Sequence, residues 1–166
     1  MSFKLCSVDL EATTYNELTG ENKDKIDLIG FYYDGKYIHF QNSYDFWNYI
    51  DENIEKLHNY YCLAHNGGGY DFLYLIKIPD KFKSNIKFNV MINGRFVDIS
   101  YEVFKGKKKY KMIFRDSYKL MSSSLSKLGQ AFGFPKTEMP SWTENQKKGL
   151  SFEEHYKMSI EYNKND

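Results

Sequence analysis

Three apolar stretches at the start of the chain predict three β-strands. Residues 3–9 form a short hydrophobic run that is typical of a buried strand. Residues 26–33 and 36–41 flank the dipeptide Asp34-Gly35, which is a strong signal for a tight β-hairpin. We therefore expect the second and third strands to pair with each other, and the sheet to start with three antiparallel strands.

A helix, a strand and a short helix are predicted next. Ser43 is predicted to cap a helix that runs to about Leu57, in which large apolar residues recur at the spacing of one helix face. They are Phe46, Trp47, Ile50, Ile54 and Leu57. Residues 60–64 have the pattern of a buried strand, and the second helix should run from Tyr70 to about Ile76.

The middle of the chain predicts further strands. Residues 86–93 and 95–104 alternate between apolar and polar positions around an Asn-Gly dipeptide, and 110–116 follows a lysine-rich turn. This pattern indicates an inserted antiparallel hairpin or a three-stranded extension of the sheet.

Two helices complete the prediction. One should run from Ser124 to Phe132, and the other should begin at Ser151, where Ser-Phe-Glu-Glu forms a capping box. Residues 135–149 are expected to be irregular. The order of the elements indicates an α/β fold in which helices flank a mixed sheet.

Composition narrows the class of protein. Of the 166 residues, 42% are hydrophobic and 27% are charged, which is typical of a globular domain and excludes a disordered chain. The net charge of +1 argues against wholesale electrostatic binding of nucleic acid, so charge must act through local clusters. Cys6 and Cys62 lie in apolar runs, and we expect buried, reduced thiols. No apolar run reaches the roughly 18 residues of a membrane span, so we expect a soluble protein in a reducing compartment.

The first candidate for chemistry is Asp9-Leu10-Glu11, at the end of the first strand. Residues i and i+2 of a strand point to one face, so the two carboxylates stand side by side. Two like charges this close are unfavourable unless a cation lies between them. The motif is short enough to occur by chance, and a solvated strand end is the alternative interpretation.

The second candidate is a glycine-rich turn, Ala64-His-Asn-Gly-Gly-Gly-Tyr-Asp71, between a strand and a helix. Glycines allow a ligand or another backbone to approach closely. A phosphate-binding loop is excluded, because neither Gly-Lys-Ser/Thr nor Gly-x-Gly-x-x-Gly is present. A plain tight turn is the alternative.

The third candidate is the pair Tyr162 and Asp166 on the last helix. Residues i and i+4 of a helix share a face, so the hydroxyl and the carboxylate point the same way. Taken alone, the pair favours the alternative interpretation, an ordinary amphipathic helix.

Together the three candidates indicate a metal site. They contribute Asp9, Glu11, Asp71 and Asp166, with a tyrosine beside the fourth carboxylate. Oxygen ligands of this kind suit Mg²⁺ or Mn²⁺, and two such ions about 3.5–4 Å apart can stabilise the attacking and leaving oxygens of a phosphodiester.

The motifs also resemble a known family. In chain order, Asp9-x-Glu11, Asn66-x-x-x-Tyr70-Asp71 and Tyr162-x-x-x-Asp166 are similar to the three 3′–5′ exonuclease motifs of family B DNA polymerases. That family belongs to the DEDD superfamily, in its tyrosine variant, and has a ribonuclease H-like fold. Residues 114–133 (Phe-Arg-Asp-Ser to Ala-Phe-Gly) resemble a segment of the protein-primed branch, which includes phage, adenovirus and linear-plasmid polymerases.

The resemblance implies roles for the matching residues. The ligands of two Mg²⁺ or Mn²⁺ ions would be Asp9, Glu11, Asp71 and Asp166. Tyr162 would orient the attacking water, and Lys136 matches a lysine motif that lies near the scissile phosphate. The candidates for contact with single-stranded DNA are Asn66, Tyr70, Ser124, Leu125, Thr13 and His65.

The chain departs from the family pattern in two places. Ala12 stands where threonine is common, and strand alternation turns the side chain of Thr13 to the other face, so a hydroxyl contact to DNA is expected to be missing or shifted. Three glycines also separate Asn66 from Tyr70, which predicts an unusually flexible spacer.

We therefore expect residues 1–166 to form one 3′–5′ exonuclease domain of a longer DNA polymerase, cut within its last helix. The implied partners are a single-stranded DNA 3′ end, the rest of the polymerase and a terminal priming protein, in a viral, plasmid or mitochondrial context. Two alternatives stay open, a standalone exonuclease of this superfamily acting on RNA and a catalytically weak module that binds single strands or a partner protein. The lysine-rich turn at 105–111 is expected to be a solvated hairpin tip.

Overall fold

The computed structural model describes residues 4–16, 21–93 and 95–165. The strands are β1 (Lys4–Asn16), β2 (Glu21–Tyr33), β3 (Lys36–Phe40), β4 (Tyr60–Ala64), β5 (Ile86–Ile92), β6 (Arg95–Lys105) and β7 (Lys108–Asp116). The helices are α1 (Ser43–Asn53), α2 (Asp71–Leu75), α3 (Asp80–Lys83), α4 (Leu125–Phe132), α5 (Trp142–Lys147) and α6 (Phe152–Asn165). Short 3₁₀ turns cover Gly67–Gly69 and Ser117–Lys119.

The seven strands form one mixed sheet in the order β3-β2-β1-β4-β7-β6-β5. Strand β4 pairs in parallel with β1 on one side and with β7 on the other, and the remaining pairs are antiparallel. This arrangement confirms the predicted α/β fold with an antiparallel three-stranded start. Because β7 joins β4, the predicted extension of β5 to β7 continues the main sheet.

The β2–β3 hairpin forms where the sequence predicts it. Asp34 and Gly35 both have positive φ angles, 50° and 73°, as a two-residue hairpin turn requires. Aspartate tolerates this left-handed conformation better than most residues, and glycine adopts it without steric cost.

Strand β1 contributes apolar side chains to one face of the sheet and acidic side chains to the other. Its alternate residues Cys6, Val8 and Leu10 are buried in the apolar core. Asp9 and Glu11 point to the opposite face, as their spacing predicts. Cys6 lies opposite Cys62 on β4, and both thiols are buried and free, as the sequence predicts.

Helix α1 covers the apolar face. Phe46, Trp47 and Ile50 are fully buried, and the Trp47 ring centroid lies 5.3 Å from that of Phe114 on β7. The helix is shorter than its predicted extent, since it ends at Asn53 and the chain continues as turns. Its N-cap is Asn42, not Ser43, because the Asn42 side chain accepts the hydrogen bond from the backbone N–H of Asp45 at 2.8 Å.

Helix α6 packs against β1 and β2 on the polar face. The predicted capping box begins it, because the Ser151 hydroxyl accepts from the backbone N–H of Glu154 while a carboxylate oxygen of Glu154 accepts from that of Ser151. The prediction of irregular chain before this helix is wrong over Trp142–Lys147, where α5 forms with its own capping box. Among the described residues, no helix is both long and apolar enough to cross a membrane.

Candidate active site

The site begins with the two carboxylates of β1. In the antiparallel pairing of β1 with β2, Asp9 lies opposite Gly30 and Glu11 opposite Leu28. Both acidic side chains are half-buried on the face that α6 covers. The paired strand thus holds the two carboxylates at a fixed spacing.

Asp71, the first residue of α2, is the third carboxylate of the site. It is only 4% exposed. Burial raises the pKa of its carboxyl to about 7, and the negative charges of Asp9 and then Glu11 contribute to the rise. Hydrogen bonds from the backbone N–H groups of Asp71 itself and Leu10 act in the opposite direction. Asp9 and Glu11 are therefore near enough for their negative charges to act on the buried carboxyl of Asp71.

The triple-glycine spacer is an ordered 3₁₀ turn that delivers Asp71 to this region. The backbone N–H of Gly68 donates to Asp116 at 3.2 Å, and Asp116 is only 1% exposed. A Cβ atom on Gly67 would lie 2.6 Å from the Cβ of Ala64, so this position has room for glycine alone. The expectation of a flexible spacer therefore gives way to a turn that is packed and held by a buried carboxylate.

Tyr162 on α6 and Glu11 on β1 face the same cavity. This cavity of about 280 Å³ lies between the sheet and the α5–α6 region. The ammonium nitrogen of Lys136 lies over the Tyr162 ring, 5.1 Å from its centroid. Two residues that the sequence assigns separately, the tyrosine of the third motif and the lysine of the lysine motif, are thus in contact.

A second cavity of about 440 Å³ opens beside Asp9. His65 and Leu125, both predicted to bind DNA, contribute to its lining together with Asn163 of α6. Ser124, the other residue of that predicted motif, caps α4, because its hydroxyl accepts from the backbone N–H of Lys127 at 3.3 Å. Leu125, the first residue of α4, directly follows this cap.

His65 joins two loops around the second cavity. Its Nε2 lies 2.8 Å from the carbonyl oxygen of Ser123, and its Nδ1 lies 3.2 Å from the hydroxyl of Ser117. A carbonyl can only accept, so Nε2 carries a proton and donates to Ser123. The imidazole therefore ties the second motif to the segment that leads into α4.

The remaining predicted residues divide into two groups. Asn66 is exposed, with a left-handed φ of 60°, and the ring of Tyr70 packs against Tyr74 with centroids 5.0 Å apart. Asp166 and the side chain of Thr13 lie outside the described part of the chain, so their roles stay predictions.

Sequence reasoning missed two polar residues of the site. Asn163 is 4% exposed and donates a hydrogen bond from Nδ2 to Asp9 at 2.8 Å. Asp27 is an extra residue in β2 at a shift of register, and it lines the cavity beside Glu11. The sequence does contain a pattern that points to Asn163. His155, Ser159 and Asn163 are spaced four residues apart, which places three polar side chains on one face of α6.

The donor set fits a divalent cation. The gathered groups are carboxylate oxygens, which Mg²⁺ and Mn²⁺ prefer, and their mutual repulsion is the kind of electrostatic cost that a cation removes. Within residues 4–16, 21–93 and 95–165, no three acidic, histidine or cysteine side chains stand close enough to form a ready-made metal cluster. The fourth predicted ligand, Asp166, lies outside those ranges.

Comparison with known proteins adds a family and a fold. Residues 50–166 match the family described as DNA polymerase type B, organellar and viral. No curated protein matches the chain in sequence.

Among solved structures, the chain resembles phi29 DNA polymerase complexed with primer-template DNA and incoming nucleotides, with a TM-score of 0.67 and 15% identity over 99% of this chain and 30% of the polymerase. It also resembles phi29 DNA polymerase complexed with single-stranded DNA, with a TM-score of 0.58 and 16% identity over 86% of this chain and 26% of the polymerase. Likeness at these identities shows the fold. The chain spans less than a third of the polymerases that it matches.

Proposed function

This chain belongs to the organellar and viral type B DNA polymerases, and we propose that it is their 3′–5′ exonuclease domain. It would hydrolyse the 3′-terminal phosphodiester of single-stranded DNA and so proofread for a longer polymerase. The observation that carries the proposal is that Asp9 and Glu11 of one sequence motif lie near the buried carboxyl of Asp71, which belongs to another.

Asp9, Glu11, Asp71 and Asp166 would hold two Mg²⁺ or Mn²⁺ ions. When bound, such ions act as Lewis acids toward the attacking and leaving oxygens of the phosphodiester. The raised pKa of Asp71 supports this assignment, because a buried carboxyl beside two other acids is costly to ionise unless positive charge accompanies it.

Tyr162 and Lys136 would act on the reacting groups. The tyrosine hydroxyl would hold the attacking water in line with the phosphorus, and the bond to the 3′ oxygen of the preceding nucleotide would break. The products are a nucleoside 5′-monophosphate and a strand shortened by one nucleotide. Because its ammonium lies over the Tyr162 ring, Lys136 would also offer positive charge to the phosphate.

The single strand would run along the second cavity. Leu125 would contact a base or sugar there, while Asn66 and Tyr70 would hold the terminal nucleotide. The solved phi29 DNA polymerase complexed with single-stranded DNA, which shares this fold, is in line with such a substrate. The rest of a parent polymerase and a terminal priming protein would be its partners in a viral or organellar replication system.

The direct test uses a 5′-labelled single-stranded DNA with Mn²⁺ or Mg²⁺. The wild-type chain should produce a ladder that shortens from the 3′ end and should release mononucleotides, and EDTA should stop the reaction. Asp9→Ala combined with Glu11→Ala should abolish the ladder.

The matched control is Glu52→Ala combined with Glu55→Ala, which removes the same charge at two exposed positions outside the site. This control should digest DNA at the wild-type rate. Digestion that survives the Asp9 and Glu11 substitutions would show that the site is wrongly assigned. Faster digestion of an RNA strand of the same sequence would favour the RNA exonuclease alternative.

A further inference from the structure

The side chain of Asn163 lies at the centre of a hydrogen-bonded chain that joins α6 to two strands. It directly follows Tyr162 in sequence, and only 4% of its surface is exposed. Its Nδ2 donates to Oδ2 of Asp9 on β1 at 2.8 Å, and its Oδ1 accepts from the hydroxyl of Tyr37 on β3 at 3.0 Å.

A side-chain amide fits both neighbours at once, because one end donates and the other accepts. An ionised Asp9 can only accept, so its partner must donate. The phenol of Tyr37 then has to donate to the other end of the same group, which fixes the orientation of the amide. An aspartate at position 163 would repel Asp9, and an alanine or leucine would leave both neighbours without this partner.

Gly30 makes room for this amide. A Cβ atom at position 30 would lie 1.7 Å from Oδ1 of Asn163 and 3.0 Å from the Tyr37 ring. Glycine weakens the interior of a strand, and here its φ angle is not in the left-handed region, so the reason for glycine is space. Gly30 also pairs directly with Asp9, which places the gap in the strand beside the carboxylate that Asn163 holds.

We propose that Asn163 is a positioning residue of the nuclease: it orients the Asp9 carboxylate for the cation and fixes α6, and hence Tyr162, against the sheet. Tyr37 acts through Asn163 by holding the amide in place. This inference rests on the proposed function, because it assigns Asp9 to cation binding. It parallels the general behaviour of metal sites, in which hydrogen bonds to a ligating carboxylate determine its orientation.

The test measures Mn²⁺ binding to the 166-residue chain by calorimetry in the absence of DNA. Asn163→Ala should weaken the affinity roughly 10- to 100-fold, the usual effect of losing a group that orients a metal ligand. The matched control is Asn145→Ala, which removes another buried amide, 1% exposed, that is hydrogen-bonded to His155 at 2.8 Å. This control should lower the unfolding midpoint and leave Mn²⁺ affinity at the wild-type value.

Tyr37→Phe removes a single oxygen atom and supplies the test if Asn163→Ala does not fold. It should weaken Mn²⁺ binding by about 2- to 5-fold. This is less than the effect of Asn163→Ala, because Asn163 contacts the Asp9 carboxylate directly and Tyr37 does not. In an Asn163→Ala background, the same substitution should have no further effect on affinity, because its action passes through the amide.

The two ways to fail are distinguishable. If the wild type binds Mn²⁺ and both Asn163→Ala and Tyr37→Phe bind it equally well, the positioning role is wrong while the nuclease proposal stands. If the wild type neither binds Mn²⁺ nor digests single-stranded DNA, the proposed function fails and this inference falls with it.

Discussion

The two helices that pack on opposite faces of the sheet are built from different chemistry. Helix α1 buries Phe46, Trp47 and Ile50, which are hydrophobic. Helix α6 buries a different set, His155, Ser159 and Asn163, which are all polar. Both helices lie on the same sheet, so the contrast reflects what each face does.

Apolar and polar packing constrain a helix in different ways. Hydrophobic contact depends on area and has no preferred direction, so α1 gains stability from contacts such as Trp47 on Phe114 and Tyr101. A buried hydrogen bond stabilises less, and it requires its partner at a defined distance and angle. Packing on the polar face therefore contributes less stability than packing on the apolar face. It defines the positions of side chains to within a hydrogen-bond length, as a site for chemistry requires.

The substitution expected to have the largest effect is Trp47→Ala on the apolar face, which should lower the stability of the fold. Trp47 is fully buried, and its indole nitrogen donates to the carbonyl of Leu75 at 2.9 Å. We expect the free energy of unfolding to fall by about 3–5 kcal/mol in denaturant titrations. Trp142→Ala, at a half-buried tryptophan near α6, should cost clearly less, and equal losses would contradict the contrast between the faces.

On the polar face, Tyr162→Phe should change the reaction and not the stability. The substitution keeps the ring that Lys136 contacts and removes the hydroxyl proposed to orient the water. We expect the rate of single-strand digestion at saturating DNA to fall about 100-fold. The free energy of unfolding should stay within about 0.5 kcal/mol of wild type. An unchanged rate would remove the tyrosine from the mechanism.

A smaller effect is expected from His65→Ala. Its imidazole bonds both the Ser123 carbonyl and the Ser117 hydroxyl, so its loss loosens the segment before Leu125. We expect KM for single-stranded DNA to rise about 5- to 10-fold, with a smaller change in kcat. His58→Ala is the matched control, because that imidazole accepts from the backbone N–H of Lys111, outside the site, and its loss should leave KM unchanged.

The smallest effect is expected at the lysine-rich turn. Three of its lysines have acidic partners, because Lys105 pairs with Glu55 while Lys109 and Lys111 pair with Glu102. The segment covers the end of β6, the turn at Gly106 and Lys107, and the start of β7. The site lies near the opposite end of β7, where Asp116 accepts from the backbone N–H of Gly68. Lys107→Ala combined with Lys108→Ala should change KM for single-stranded DNA by less than about 2-fold. A large rise in KM would assign DNA contact to the turn.

The fold could be predicted well from the sequence because most of its helices and turns are encoded by residues that are close together in the chain. The Asp34-Gly35 turn, the apolar spacing of α1 and the capping box at Ser151 are each encoded within a few residues. Helix α5 was missed because it has only six residues, too few for a periodic pattern.

Partnerships between distant segments are the part of the site that local patterns could not show. Asn163 is 154 residues from Asp9 and 126 from Tyr37 along the chain. Spacing along α6 indicates that the amide faces inward, but only the folded sheet determines which groups it meets. The motif carboxylates were identified because their spacing repeats a family pattern, which Asn163 does not take part in.

The carboxyl of Asp71 gives the polar face a measurable cost in stability. Its ordinary pKa of 3.8 is raised to about 7 in the folded protein. Between these two pH values the folded state holds a proton that the unfolded state has lost. The favourable contribution of the protonated carboxyl to the free energy of unfolding is therefore complete below pH 4 and is lost as the pH rises through 7. Three pKa units correspond to about 4 kcal/mol. In the absence of metal, Asp71→Asn should remove this part of the pH dependence.

The most direct test of the contrast between the faces is the free energy of unfolding of wild type and Asp71→Asn at pH 7.5, in EDTA and in excess Mn²⁺. In EDTA, Asp71→Asn should be the more stable by a few kcal/mol, about what the raised pKa implies. Saturating Mn²⁺ should stabilise the wild type by about 2.7 kcal/mol at 100 times the dissociation constant, and should stabilise Asp71→Asn far less. Equal stability in EDTA and an equal response to Mn²⁺ would contradict the claim that this face gathers negative charge for a cation.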